Sequence, residues 1–575
     1  MATTNNPPFE VYGNIPNTLF KLKVYRGEGM ALLAMDWKEG KPSDDFVGFS
    51  IEYKEPGGKK FYAIPNRLSF LDSNGKVKKG STTSLLAPFQ KFRWIHFPYN
   101  PDIPGDFTYM VKPVFMNDMD ELSYGEAQTA SIQLMHETYH DKLNVSFTRG
   151  FVLSQAFVDR YEKDGGIPAL IPSEADQGLR FQPTHPRKDE ALTWMGFEAR
   201  AKILELLDKA YEDDKAEVRV VAYDLNEPEL VNRLVKLKER LKIIIDNSDA
   251  HGELNSAEAQ TESLLEKSTA GQVKRHHMGK LQHNKTIVVS GPKIKAAICG
   301  STNFSWRGFY VQANNAVILY GANAIKPFNE AFDNYWKYDS VKDFGKTNSA
   351  GWTALSLPQI DAKVSFSPHA TNNALLKTIA DDIESKVTSC VFYSLAFLFQ
   401  TPGVIKNAIE KITADDNIFI YGISDRKVGG LDLQKPGGNI APVYPSEMSK
   451  NLPEPFKSEP SGGKGCRMHH KFVVIDFNKP NARVYFGSYN FSSAADITNG
   501  ENLLLIKDRR IAVSYMIEAL RIFDHYHFRV TQKEATKAKK LLALSKPPRN
   551  QGEEAWWKEY YKVKVKILDR EIFSQ

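Results

Sequence analysis

Residues 468–476 read Met468-His469-His470-Lys471-Phe472-Val473-Val474-Ile475-Asp476, and residues 487–492 read Gly487-Ser488-Tyr489-Asn490-Phe491-Ser492. The same phrase stands earlier as Gln282-His283-Asn284-Lys285-Thr286-Ile287-Val288-Val289-Ser290, then Gly300-Ser301-Thr302-Asn303-Phe304-Ser305. His to Asn takes 21 residues in one copy and 20 in the other. Agreement of that kind marks a duplicated unit. Each apolar run reads as a strand, and His-x-Lys at its start places both side chains on one face, because side chains alternate with period two. A Gly-Ser-x-Asn turn after the next strand can bring an amide and backbone N–H groups to the same place. Imidazole, ammonium and amide together suit a tetrahedral phosphoryl group, which needs a nucleophile and donors to its non-bridging oxygens. Two copies supply two histidines, one to attack phosphorus and one to protonate the departing oxygen.

Outward from these motifs the repetition continues. Val145-Ser146-Phe147-Thr148 returns as Val364-Ser365-Phe366-Ser367. Helix, strand, helix and strand then follow in both copies: 197–210, 218–223, 230–241 and 242–245 in the first, 373–385, 387–393, 403–412 and 418–423 in the second. Alternation of this type predicts an α/β sheet in each half. Polar stretches at 247–280 and 427–464 interrupt the halves just before the motifs. Both are too long for ordinary connectors, which favours a lid, a binding loop or disorder. Residues 150–190 match no pattern.

A doubled HxKx₄D followed by GSxN is similar to the phospholipase D superfamily over about residues 140–530. The resemblance implies a metal-independent, two-histidine active site at the seam between the halves, with His283, Lys285, Asn303, His469, Lys471 and Asn490 in it. The first copy departs from the motif: Ser290 stands where Asp476 stands in the second, and Asn314 falls opposite Glu501. In the family an acid from one half orients the histidine of the other, so Glu501 would support His283 while His469 would meet the neutral Asn314. A carboxylate behind an imidazole fixes its tautomer and raises its basicity, which favours His283 as nucleophile and His469 as general acid. The asymmetry resembles that of tyrosyl-DNA phosphodiesterases. Asp476 is grouped with the catalytic residues, although as a strand-end carboxylate it reads more readily as structural. Lys274, Arg275 and Lys280 before His283, Lys464 and Arg467 before His469, and the motif serines Ser301 and Ser488 are the candidates for holding substrate. Around His276, His277, His283, His469 and His470 no Cys or carboxylate falls at zinc-site spacing, so the expectation is no metal and no cofactor.

The segment 16–135 alternates with period two between Gly, Pro and Asp clusters, as a β-sandwich does. Trp37 in an early strand and Tyr109 in Phe107-Thr108-Tyr109-Met110-Val111 resemble the core residues of a fibronectin type III domain. The expected organisation is therefore a disordered stretch at 1–15, an all-β sandwich at 16–135, phospholipase D-type α/β halves at 136–350 and 351–530 packed as a pseudo-twofold pair, and a basic, aromatic extension at 531–575. In that extension 531–544 reads as a helix, and Trp556-Trp557-Lys558-Glu559-Tyr560-Tyr561 as a strand-like stripe packing on the second half.

Composition limits the function. Of 575 residues 42% are apolar and 25% charged; no apolar run reaches membrane-spanning length, and the start lacks a basic leader. Three widely spaced cysteines, Cys299, Cys390 and Cys466, support neither a disulfide scaffold nor a cysteine metal site. A reducing cytoplasm is expected, with signal-less export left open. The net charge is +6, most of it in the last 45 residues, and leans the substrate towards nucleic acid. The resemblance implies a phosphodiesterase working through a phosphohistidine. Phospholipid head groups remain an alternative substrate, and a scaffold with a decayed site, recruiting a protein through the sandwich, a third reading. One chain holds both halves, so a monomer suffices for the site.

Overall fold

Both halves fold around sheets in which six strands share one order, with a further strand at opposite edges of the two. The computed structural model describes residues 6–77, 81–134, 137–150, 157, 160–270, 272–370, 374–398, 402–424, 468–537 and 541–575. The first sheet runs Leu143–Phe147, Asn315–Tyr320, Lys295–Gly300, Lys285–Ser290, Glu217–Ala222, Leu241–Ile245 and Val273–Arg275. The second runs Thr353–Ala354, Asp361–Ser367, Glu501–Lys507, Arg483–Gly487, Lys471–Ile475, Cys390–Leu395 and Phe419–Ile423. In each, the strand that opens with the motif lysine is paired antiparallel on both sides. Beyond it lies a parallel pair joined over a helix, Pro228–Leu237 or Val404–Thr413, as a parallel connection requires.

Alternation then decides what each face buries. On the first sheet Val218, Val220, Ile287 and Val289 pack with helices Lys188–Glu212 and Pro228–Leu237. On the second, Val391, Tyr393, Val473 and Ile475 pack with Ala374–Glu384 and Val404–Thr413. The opposite faces meet in one apolar cluster: Val221, Val288 and Val317 join Phe392, Val474 and Leu504, with Phe328 and Phe332 of helix Ala322–Lys337 and Ile517 and Leu520 of helix Arg509–Lys537 between them. Each such side chain contributes about 1.5–3 kcal/mol on burial, so the halves form one folding unit. At the seam the main chains touch reciprocally: His469 N–H donates to Ala313 O (3.1 Å) and Gly500 N–H to Leu281 O (2.8 Å).

The amino-terminal region is a two-sheet β structure. Glu10–Tyr12, Phe20–Gly27, Met30–Trp37 and Arg93–His96 form one sheet, while Asp106–Met116 is central to the other, beside Phe46–Lys54, Leu122–Tyr124 and Gln128–Gln133. Phe20, Leu22, Leu33, Phe49 and Tyr109 fill the space between, with Trp37 at its margin. Tyr25, Met30 and Leu32 point the other way, into the central cluster between the two halves.

Four expectations are corrected. The stretch 1–15 is not wholly irregular: Glu10–Tyr12 is a strand on Phe20–Gly27, and residues 1–5 lie outside the described residues. Of the readings open for the polar stretch 247–280, disorder does not hold: it contains helix Ala257–Thr269 and strand Val273–Arg275, held because Val273 pairs with Ile243; its counterpart at 427–464 lies outside the described residues. Residues 531–537 continue helix Arg509–Lys537 rather than starting a new one. The extension is helical, Glu559–Lys562 and Lys564–Ser574, not a strand, and its aromatics pack chiefly on the sandwich. Trp557 and Ala555 complete the sandwich core, and the indole N–H groups of Trp556 and Trp557 donate to Phe46 O and Ser43 O. Val565, Ile572 and Phe573 enter the central cluster. In the unassigned region 150–190, Phe157, Tyr161 and Leu170 fill the outer core of the first half. Among the described residues no helix is long and apolar enough to cross a membrane.

Candidate active site

The reciprocal seam brings the two histidines together. His283 and His469 are 4% and 5% exposed, with ring centroids 6.2 Å apart and planes at 74°. Each lysine is tied to the histidine before it: Lys471 Nζ donates to His469 O at 2.8 Å, and Lys285 Nζ to His283 O. Lys285 also lies 4.7 Å from the Tyr223 ring centroid, and burial pushes its ammonium down to about 8.

Behind each imidazole stands a group from the other half. Glu501 Oε2 is 2.8 Å from His283 Nδ1, and Asn314 Oδ1 is 2.8 Å from His469 Nδ1. Both histidines therefore carry the Nδ1 proton and leave Nε2 for chemistry. The motif serines do not face substrate. Ser488 Oγ donates to Glu501 Oε2 (2.6 Å) and Ser301 Oγ to Asn314 Oδ1 (3.0 Å), the same contact in two chemistries. Asn499 Nδ2 adds a bond to Glu501 Oε1 (3.2 Å), and Asn314 Nδ2 is held by Gly308 O (2.9 Å).

The electrostatics differ as the partners do. Burial lowers both histidines, because the charged imidazolium is the poorly solvated form. At His283 the Glu501 carboxylate opposes that lowering. At His469 Lys471, Lys285 and His283 add to it, and it falls well below the ordinary value.

The remaining predicted residues divide. Asn303 Nδ2 donates to Asp224 Oδ2 at 2.7 Å. Asn490 is half-buried, and its Oδ1 has no hydrogen-bond partner among the described residues. Asp476 is fully buried at the far end of its strand, where it accepts from Ser389 N (2.7 Å), Cys390 N (3.2 Å) and Thr388 Oγ1 (3.0 Å); it orders a turn and is not part of the histidine pair. Ser290, its counterpart, accepts from Asn329. Lys274 is bound to Asp339 and Trp336 O, and Arg275 to Glu262, so neither is free to hold a phosphate. Lys280 is exposed on the segment joined to Thr498 across the seam. Lys464 and Arg467 lie outside the described residues. His470 forms a fully buried pair with Glu518 (2.9 Å) instead of facing the site.

Sequence reasoning missed Tyr223, Asp224 and His251. The Tyr223 ring lies 4.7 Å from His283 and 4.5 Å from His251. Asp224 follows strand Glu217–Ala222 and Asp246 follows its parallel neighbour Leu241–Ile245. Carboxylates at the carboxyl ends of adjacent parallel strands, where open α/β sheets bind ligands, were the available signal.

Against known families, a model described as "Cardiolipin synthase, PLD-like domain" matches residues 203–336 and 405–523, one match in each half. Each half thus carries a stretch similar to the phospholipase D-like domain. Proteins named phospholipase D from Rickettsia felis and Rickettsia conorii are 46% and 44% identical to it over 48 residues, 8% of this chain and 22% of theirs. The match thus spans about a fifth of those relatives. Among solved structures, the phosphatidylserine synthase of Haemophilus influenzae is 14% identical, covering 65% of this chain and 93% of its own with a TM-score of 0.39. Nuc from Salmonella typhimurium, a phospholipase D family member, is 25% identical over 24% of this chain and 87% of its own, with a TM-score of 0.21.

Proposed function

We propose that the protein hydrolyses phosphodiesters through a phosphohistidine. The observation that carries this reading is the exchanged backing of the two histidines, Glu501 behind His283 and Asn314 behind His469. His283 Nε2 attacks phosphorus; the leaving oxygen takes a proton from His469 Nε2 as its bond to phosphorus breaks. Water then attacks the phosphohistidine, giving its proton to the now neutral His469, and the P–N bond breaks to release the phosphoryl product and His283. His469 is strongly lowered in the protein alone, so it takes up its proton as the phosphodiester anion arrives beside it. Lys285, Lys471, Asn490 and the second amide proton of Asn303 donate to the non-bridging oxygens, with Lys280 at the edge to guide the anion.

The net charge of +6 favours nucleic acid as the substrate class. The aromatic extension adds nothing to either a base-stacking or a bilayer reading, since its indoles are bound to the sandwich.

The test uses ³²P-labelled single- and double-stranded DNA and RNA, and phosphatidyl-labelled vesicles, with wild type, His283→Ala and His469→Ala. Wild type should cleave a nucleic acid, and each variant should lose at least ~10²–10⁴-fold. Acid-labile, base-stable label should appear on wild type and be absent from His283→Ala. Cleavage confined to vesicles would reassign the substrate; turnover retained without His283 would end the mechanism.

A further inference from the structure

Beside the histidine pair, in the first half alone, four side chains converge whose arrangement the hydrolytic reading does not use. Asp224 and Asp246 stand at the ends of adjacent parallel strands, His251 in the turn Asp249–Gly252, and Glu258 in the first turn of helix Ala257–Thr269. His251 Nδ1 lies 2.8 Å from Asp246 Oδ2. Its other nitrogen, Nε2, faces Asp224 Oδ1 at 3.2 Å and Glu258 Oε1 at 4.0 Å.

Asp246 is saturated as an orienting group. Its Oδ2 also accepts from Ser248 N (3.0 Å) and Ser248 Oγ (2.5 Å), and its Oδ1 from Gln282 N (2.6 Å). A carboxylate on one imidazole nitrogen orients the ring towards two further carboxylates beside the other, and an ion bound among them takes the place of the Nε2 proton that His251 shares with Asp224. The potential ligand atoms of Asp224, His251 and Glu258 lie within 4.8 Å of one another. A tetrahedral ion with bonds of about 2.0–2.2 Å holds its ligands roughly 3.3–3.6 Å apart, and the observed 3.2 and 4.0 Å bracket that spacing. Glu258 is 4% exposed and Asp224 and His251 are partly buried, so the donors are already largely desolvated.

A second observation points to the same spot. Asn303, whose Nδ2 touches Asp224, has a buried Oδ1 without a hydrogen-bond partner among the described residues. It is an unpaired buried acceptor on the residue that Asp224 holds. In the second half the place of Asp224, two residues beyond the partner of the motif lysine, is taken by Phe397, so the cluster does not follow from the duplication.

We propose that Asp224 Oδ1, His251 Nε2 and Glu258 Oε1 form a site for one divalent transition-metal ion, zinc or manganese, with Asp246 orienting the imidazole. The ion sits beside the phosphate pocket rather than in the reaction, and Asp224 spans the two by holding the ion with one oxygen and Asn303 with the other.

The test reads binding, not activity. The full chain is stripped with EDTA, dialysed and titrated with ZnCl₂ and MnCl₂ by calorimetry, and with CoCl₂ by visible absorbance. Wild type should take up one ion per chain. Asp246→Asn should weaken it about 10–100-fold, and His251→Ala and Glu258→Gln should weaken it more. A His276→Ala/His277→Ala double variant should bind as wild type does. Circular dichroism and melting in EDTA identify any variant that fails to fold, and the milder Glu258→Gln keeps the test decisive in that case. Wild type that takes up no ion, or a folded Glu258→Gln and His251→Ala that bind as tightly as wild type, would overturn the site whatever the outcome for hydrolysis.

Discussion

Glu501, from the second half, holds the imidazole of His283, from the first, at 2.8 Å, with Ser488 fixing the carboxylate from behind at 2.6 Å. A carboxylate placed so stabilises the imidazole through the charge it acquires during reaction. Glu501→Gln keeps the shape and removes the charge, and should lower kcat by about 10²–10⁴-fold, within the range by which a neutralised orienting acid impairs a histidine. The measurement is steady-state turnover on whichever diester the wild type cleaves. A Glu501→Gln enzyme within threefold of wild type would mean that the carboxylate only packs.

The same contact sets the acid side of the pH profile. A nucleophilic imidazole must be neutral, and burial lowers His283 below its ordinary value. Activity should therefore persist below pH ~6.5 and fall only as pH passes through the lowered pKa, read in kcat/KM because that ratio reports the free enzyme. Glu501 is what raises that pKa against burial. In Glu501→Gln the limb should move to still lower pH, and movement the other way would reject His283 as the titrating group.

Asp476 is expected to matter for stability and not for chemistry. Its carboxylate, itself fully buried, accepts main-chain N–H groups of Thr388, Ser389 and Cys390. Asp476→Ala leaves those donors unpaired, and should cost roughly 2–5 kcal/mol in urea unfolding. At a temperature where the variant is folded, kcat should stay within about threefold of wild type, well short of the loss expected of a proton-transfer group. A collapse of kcat in a folded variant would return Asp476 to the catalytic set.

In the sandwich, His96 lies 3.1 Å from the Tyr109 hydroxyl and is lowered to about 3 by burial. Its folded-state pKa lies below the unfolded value, so the unfolded chain takes the proton first. The stability it supports is complete above pH ~6.5 and declines as pH falls towards 3, reaching a loss of about 2 kcal/mol by pH 5. Urea unfolding at pH 7 and pH 5 should show the difference shrinking by about that amount in His96→Gln. An unchanged difference would mean that His96 is solvated on protonation.

Much of the architecture was legible because the duplicated phrase carries its own register. Once His283 and Lys285 are placed on one strand and His469 and Lys471 on another, period two fixes which face of each sheet is buried, and helix and strand follow from apolar spacing. What sequence could not convey is contact at long separation. Asp224 and His251 are ordinary in their own segments, and they meet the Asn303 neighbourhood only because two parallel strands end side by side. Lys274 and Arg275 read as a phosphate-steering run, yet Asp339 and Glu262, remote in sequence, already neutralise them. In the aromatic extension Val563, Val565 and Ile567 alternate as a strand would, yet the segment is helical. With Trp556 and Trp557 drawn onto the sandwich, a helix serves the remaining residues better.

That last packing bears on how the chain is made. The sandwich precedes both α/β halves along the chain, but Trp557 and Ala555, part of its core, follow them. Domains ordinarily close in the order of synthesis. Here the sandwich stays unsealed until both halves have been made, so a stop ahead of Trp556 would spoil the sandwich although every one of its own strands had been translated.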